Sequence, residues 1–263
     1  GYRYGHSTVY DHMALDGLED AYDRGTAMGV FAEQMVEKYG FTREGQDDFS
    51  IESLRRANQA IEDGSFAWEI TPVTVKSRRG DVVVDTDEQP GNAKPDRIPT
   101  LRPAFKKDGT ITAANASSIS DGAAAVVMMR ASTAKELGVK PLARVVAHTE
   151  FAHQPEWFTT APVGAMQQCL DKAGWTKDEV DLYEINEAFA CVTMGAMKDL
   201  ELDHAKVNIH GGATALGHPI GASGTRILVT LIAALRKTGG KKGLASLSIG
   251  GGEAVALAVE LVD

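Results

Sequence analysis

One histidine, His218, stands in the stretch Gly211-Gly212-Ala213-Thr214-Ala215-Leu216-Gly217-His218-Pro219-Ile220-Gly221-Ala222-Ser223-Gly224, among five glycines and beside a proline. Glycine permits positive φ or close approach of backbone to a ligand, and proline fixes its own φ, so an imidazole placed here has few ways to move. A ring that titrates near neutrality and is held rigidly suggests proton transfer. Asn186 opens Asn186-Glu187-Ala188-Phe189-Ala190 and supplies an amide that donates hydrogen bonds without charge. Ser248-Ile249-Gly250-Gly251-Gly252 supplies bare backbone N–H groups able to hold an oxyanion. Together the three sites suggest acyl chemistry. Each also has a plainer reading: His218 as a hydrogen-bonded loop residue, Asn186 as a helix N-cap ahead of Glu187, and the glycine loop as a phosphate cradle. The loop lacks the Gly-Lys-Ser/Thr and Gly-x-Gly-x-x-Gly patterns that a nucleotide cradle carries.

These residues need elements to bring them together. Residues 124–129, 144–148, 181–185, 207–210, 244–249 and 255–261 read as strands. Residues 161–173, 187–200 and 221–237 carry apolar positions every three or four residues and read as helices, while Thr176 and Glu179 fit a capping box. Strands alternating with helices imply an α/β fold with a mixed, mostly parallel sheet covered by helices. The link over Gly250, Gly251 and Gly252 is too short for a crossover helix and predicts an antiparallel hairpin. Asn186, His218 and the 248–252 segment each follow or end a strand, so all three can meet at one edge of the sheet.

Residues 1–118 read differently, as an inserted irregular α+β layer: helices at 28–39 and 43–63, Thr42 as an N-cap, short strands at 74–76 and 81–85. Four prolines and mixed charge between 88 and 103 predict an extended loop without regular structure. The chain opens on Gly1-Tyr2-Arg3-Tyr4-Gly5, without an initiator Met, and reads as the remainder of a longer protein. With 263 residues and 43% hydrophobic content it can bury a sizeable core. A net charge of −9 argues against nucleic acid or a membrane surface as the general partner. Cys169 and Cys191, both in helix-like segments, read as buried reduced thiols, which with no signal peptide and no membrane-length apolar run predicts a cytoplasmic protein.

The three motifs, in this order and spacing, resemble the C-terminal motifs of the thiolases. Upstream, Asp16-Gly17-Leu18-x-Asp20-Ala21-Tyr22, Leu101-Arg102-Pro103-Ala104-Phe105, Thr112-Ala113-Ala114-Asn115-Ala116-Ser117 and Asp121-Gly122-Ala123-Ala124-Ala125 are similar to that family's loop domain and the strand after it. The resemblance covers essentially the whole chain. It implies a thiolase-like fold with residues 1–118 as a coenzyme A-binding loop domain, 119–141 as the remainder of the N-terminal thiolase domain and 142–263 as the C-terminal domain. It also implies acyl transfer between coenzyme A thioesters, with no permanent cofactor, no metal, and a homodimer or homotetramer as the assembly. His218 matches the family's histidine that activates the nucleophilic cysteine, Asn186 the residue whose bound water shares the enolate oxygen with it, and Gly250 a second oxyanion donor. Ser117, Met28, Phe105, Ala113, Ala188 and Phe189 match residues lining the pantetheine and acyl channel. Lys76, Arg78, Arg79, Lys94, Arg97, Lys106 and Lys107 are candidates for the coenzyme A phosphates.

Three departures stand out. Neither Cys169 nor Cys191 lies in a motif matching the acylated cysteine, so the N-terminal half is expected to be missing here and supplied by the same or a separate chain. Ser248 occupies the place of the acid/base cysteine, and a hydroxyl is a much weaker acid than a thiol of reference pKa about 8.5, so proton abstraction is expected to be impaired. Ala27 stands where many members carry a histidine that shapes the acyl pocket. The alternative is a catalytically silent protein that binds coenzyme A thioesters or serves assembly. A strand at 124–129 without its sheet would expose apolar surface and favour aggregation.

Overall fold

The computed structural model describes residues 3–262. Helix α1 (Met28–Tyr39) ends at Gly40 in the left-handed region, and α2 (Arg43–Glu62) begins at Thr42, whose hydroxyl accepts from the Gly45 N–H at 3.0 Å. Strands β1 (Val73–Val75) and β2 (Val82–Val84) form an exposed antiparallel hairpin. Short helices α3 (Glu88–Asn92) and α4 (Ala131–Glu136) precede β3 (Ala143–Ala152). Then follow α5 (Ala161–Ala173), β4 (Leu182–Ile185), α6 (Ala190–Asp199), α7 (Ala213–Leu216), α8 (Ser223–Thr238), β5 (Lys242–Ile249) and β6 (Glu253–Leu261).

The main sheet has the order β3-β6-β5-β4. Its β4/β5 ladder is parallel and its other two are antiparallel, so β3, β4 and β5 point one way and only β6 the other. The reversal is the hairpin expected over Gly250–Gly252, where Gly252 at φ 88° lies so close to the His153 carbonyl that a Cβ would come within 2.3 Å of it. Helices cover both faces. Ala165, Met166, Cys169 and Leu170 of α5 pack with Ala256 and Ala258 on one face; Ile227, Leu231, Ala234 and Leu235 of α8 pack with Ala245 and Val259 on the other. All four residues of β4 are buried, as a strand covered on both sides must be. The Thr176–Glu179 capping box forms around a single 3₁₀ turn.

Several expectations fail for identifiable reasons. Residues 124–129 form no strand: an apolar run needs a neighbouring strand to complete its ladder, none lies beside it among the described residues, and Val127 is 89% exposed. Residues 207–210 contribute one bridge, Tyr183 to Val207, before Asn208 at φ 47° turns the chain away. The 88–103 segment is not irregular throughout, because it holds α3 and a 3₁₀ turn at Pro95–Thr100, where proline is pre-set for a first helical turn. Helix α6 starts at Ala190 rather than 187, since Phe189 is extended and bridges to Ala116; α8 starts at Ser223 rather than 221.

Candidate active site

Strand β4 and its neighbour β5 deliver Asn186. The Asn186 N–H donates to the Ser246 carbonyl at 3.0 Å, so the backbone follows the sheet one residue past β4, and the side chain is 1% exposed. His218 is held by backbone, its N–H donating to the Ser118 carbonyl at 3.0 Å beside a parallel bridge to Ile119. The two side chains meet: Asn186 Nδ2 lies 3.4 Å from His218 Nε2. On the far side of the ring, Nδ1 lies 2.5 Å from Ser223 Oγ, which donates its own proton to the Pro219 carbonyl at 3.1 Å. A hydroxyl has one proton, so Ser223 must accept from Nδ1–H, which leaves Nε2 as the unprotonated nitrogen facing Asn186. Burial, with Arg226 adding to it, lowers the His218 pKa to about 4, so the ring is neutral at pH 7.

Around this pair, the 115–119 segment runs between the two loops. The Ser117 N–H and hydroxyl both donate to the Ala188 carbonyl, at 3.1 and 2.8 Å. Phe105 stands edge-on to Phe189 at 6.0 Å between ring centroids and lies so close over Gly29 that a Cβ there would come within 2.3 Å of its ring. Met28 reaches the hairpin tip, where a Cβ on Gly250 would sit 3.5 Å from its sulfur. Glu33 of α1 accepts from the Thr110 and Ile111 N–H groups, each at 2.8 Å, fixing the segment that leads to Ala113. A cavity of about 620 Å³ lies beside it, lined in part by Ala113, Ser118, Lys94 and Arg97. Lys106 is paired with Glu37, and Lys76, Arg78 and Arg79 lie on the exposed β1–β2 hairpin segment.

Ser248 lies near the end of β5, at the same end of the sheet as Asn186. Its hydroxyl and Asn186 Oδ1 are both buried without a hydrogen-bond partner among the described residues. Native proteins leave such groups unpaired rarely, and functional sites are among the places where they do. Next to the pair, Glu184 is 2% exposed and Arg226 Nη1 lies 3.9 Å from its Oε2, at the outer limit of an ion pair. Burial pushes the Glu184 carboxyl up despite that guanidinium, and burial raises Glu69 to about 7 against the hydrogen bond that Thr230 donates to it. Both cysteines are fully buried, Cys169 on the inner face of α5 and Cys191 among Phe31, Met35 and Phe189, and burial raises both thiols. Among the described residues no group of His, Cys, Asp and Glu is arranged to hold a metal, and no helix is long and apolar enough to cross a membrane.

Asn186 and His218 are thus in contact, Ala188, Phe189, Ser117 and Phe105 form one linked set, and Met28 joins Gly250. Sequence reasoning missed Ser223, five residues after His218, and Arg226, three further on, because nothing in a linear motif says which hydroxyl or guanidinium turns back toward the ring. It also read Glu187 only as a charge near a helix start.

The Asn186–His218 pair beside the carboxyl ends of β4 and β5 places the molecule in the class of α/β proteins whose sites are built from strand-end loops. The profile of the family described as "Thiolase, N-terminal domain" matches residues 1–132, and that of "Thiolase, C-terminal domain" matches residues 139–261. The chain belongs to the thiolase family. It is 51% identical to an acetyl-CoA acetyltransferase of Thiocystis violacea over 263 residues, 99% of this chain and 66% of that protein. One from Pseudomonas aeruginosa is 49% identical over 98% of this chain and 66% of its own length. The chain thus spans about two thirds of the length of these curated relatives. The crystal structure of the Bacillus anthracis acetyl-CoA acetyltransferase superposes with a TM-score of 0.94 at 42% identity, covering 100% of this chain and 66% of that one. The Acat5 thiolase of Ascaris suum in complex with coenzyme A gives 0.87 at 38%, over 100% and 67%. The N-terminal match overturns the expectation that the N-terminal half is missing or is a separate partner chain. That expectation rested on one absent cysteine motif, whereas the likeness is spread over residues 1–132.

Proposed function

We propose that this chain performs thiolase-type acyl transfer between coenzyme A thioesters, by Claisen condensation or by its reverse, thiolytic cleavage. The observation that carries the reading is the Asn186 amide 3.4 Å from the unprotonated His218 Nε2. The printed names of the relatives point to acetyl-CoA, and the Ascaris suum complex to coenzyme A itself. His218 Nε2 takes a proton from a thiol and, once protonated, donates to the thioester oxygen beside the Asn186 amide, where charge gathers as the enolate forms. Gly250 N–H serves the second oxyanion. Met28, Phe105, Ala113, Ser117, Ala188 and Phe189 line the pantetheine and acyl channel, residues 1–118 form the layer that covers it, and Lys94 and Arg97 are placed for the phosphates. Homodimers or homotetramers are the proposed assembly, read by sedimentation equilibrium.

Ser248 stands where the base for the α-proton belongs, and its hydroxyl is too weak an acid to supply an anion at neutral pH. Neither Cys169 nor Cys191, closed in the core, carries the acyl group. Ser248 favours a second reading, a silent binder of coenzyme A thioesters. Deuterium exchange into the acetyl group of acetyl-CoA, followed by NMR, separates them because it reads enolisation without the acyl-carrying thiol. Ser248→Cys is expected to raise exchange on the order of 100-fold, and His218→Ala to remove it. Binding of acetyl-CoA with no exchange in either protein would favour the silent binder; no binding at all sinks both.

A further inference from the structure

Glu187 follows Asn186 directly, is 1% exposed, and has no part in the chemistry proposed above. Its Oε2 accepts from Ser53 Oγ at 2.8 Å, from Thr214 Oγ1 at 2.7 Å and from Thr214 N at 3.1 Å; its Oε1 accepts from Asn208 Nδ2 at 2.9 Å. These partners come from three places. Ser53 belongs to α2, and its hydroxyl also accepts from the Gly212 N–H at 2.9 Å. Thr214 lies in α7, the turn that leads to His218 four residues later. Asn208 turns back on β4, its Oδ1 accepting from Ile185 N and its Nδ2 donating to Ile185 O, both at 2.8 Å. Next to Ser53, Arg56 of α2 donates to the Val207 carbonyl at 2.7 Å. Gly212 has to be glycine, since a Cβ there would sit 2.3 Å from Glu187 Cδ.

All four partners are hydroxyl, amide or backbone donors, and none is a cation. Only an acceptor fits them, and a carboxylate accepts through both oxygens. An apolar side chain of similar volume would fill the space, with less desolvation, but would fix nothing. We propose that Glu187 is a positioning residue that locks the Asn186 loop to the His218 loop, using α2 as the brace, and so sets the Asn186–His218 separation. This rests on the acyl-transfer reading for its kinetic part only.

Glu187→Gln is the sharpest test, because an amide of the same shape turns one acceptor into a donor facing Asn208 or Thr214. Made in a Ser248→Cys background, it is expected to lower the maximal rate of deuterium exchange into acetyl-CoA about 100-fold, the scale of an ångström-level misplacement, with the apparent KM within about two-fold. In ¹⁵N-histidine-labelled protein without substrate, the His218 Nδ1–H resonance should shift or broaden while circular dichroism stays native. The resonance reads the coupling even if the acyl-transfer reading fails, so the two failures are distinguishable. If Glu187→Gln does not fold, Ser53→Ala and Thr214→Val each remove part of the brace and should move the same resonance. A folded Glu187→Gln with an unchanged His218 resonance overturns the proposal, whatever its melting temperature, as does an unchanged resonance in both substitute variants.

Discussion

Ser223 leaves His218 a single place for its proton. With the hydroxyl committed to the Pro219 carbonyl, Nδ1 must donate and Nε2 must accept, so the ring presents its basic nitrogen to Asn186. Ser223→Ala removes that constraint at a cost of about 1 kcal/mol, roughly five-fold in rate, and pH profiles of deuterium exchange into acetyl-CoA on the Ser248→Cys background should show the maximal rate falling while the apparent KM holds. The pH dependence has a definite sign. Burial is the first cause of the depressed His218 pKa of about 4 and Arg226 the second, so the base form is generated as pH rises through that value and is complete at neutrality. Arg226→Met should move the acidic limb upward, toward the ordinary histidine value, because removing a neighbouring cation makes the ring easier to protonate. An unmoved limb would separate Arg226 from the ring.

At the scale of elements, α8 and α1 do different work. Leu231 of α8 is fully buried against Gly243 of β5, where an added Cβ would lie 2.9 Å from its side chain. Leu231→Ala is expected to cost about 2–5 kcal/mol in urea unfolding, the range for truncated core leucines. Gly29→Ala on α1 touches the channel instead. The new methyl collides with the Phe105 ring, so Phe105 must move, and the apparent KM for acetyl-CoA in deuterium exchange, read on the Ser248→Cys background, should rise with little change in the unfolding midpoint. Equal KM in the two proteins would remove Phe105 from the channel.

Over the whole molecule, buried charge sets how stability follows pH. Burial raises Glu69 from 4.5 to about 7 and pushes Glu184 up as well, so the folded protein takes up protons that the unfolded chain has released. Their contribution is full below about 4.5 and is lost as pH rises through the raised values. His218 acts oppositely, since its folded pKa is depressed and stability falls as pH drops below 6.5 toward about 4. Glu69→Gln should therefore flatten the decline in melting temperature between pH 5 and 8, which scanning calorimetry reads directly. A second whole-molecule consequence is colloidal. Val127 and Met128 are 89% and 67% exposed in a run with no strand beside it, so Val127→Lys with Met128→Lys should reduce light scattering on heating without shifting the unfolding midpoint.

The helices α1, α2 and α5 were legible in the sequence to within a residue, because their apolar period and the Thr42 cap of α2 are local facts. So was the glycine hairpin; Asn186 and His218 do meet, but His218 is brought there by its bridge to Ile119 and not from the end of the strand expected at 207–210. What stayed hidden depends on partners distant in the chain. Residues 124–129 have the composition of a strand, but a strand exists only beside another one. Glu187 looks like any acid at a helix start until Ser53, 134 positions away in sequence, turns out to donate to it. Which nitrogen of His218 carries the proton was decided by Ser223 and Pro219 folding back on the ring. Local periodicity and turn chemistry are written in neighbouring residues, whereas hydrogen-bond direction and burial are set by whatever the fold brings alongside.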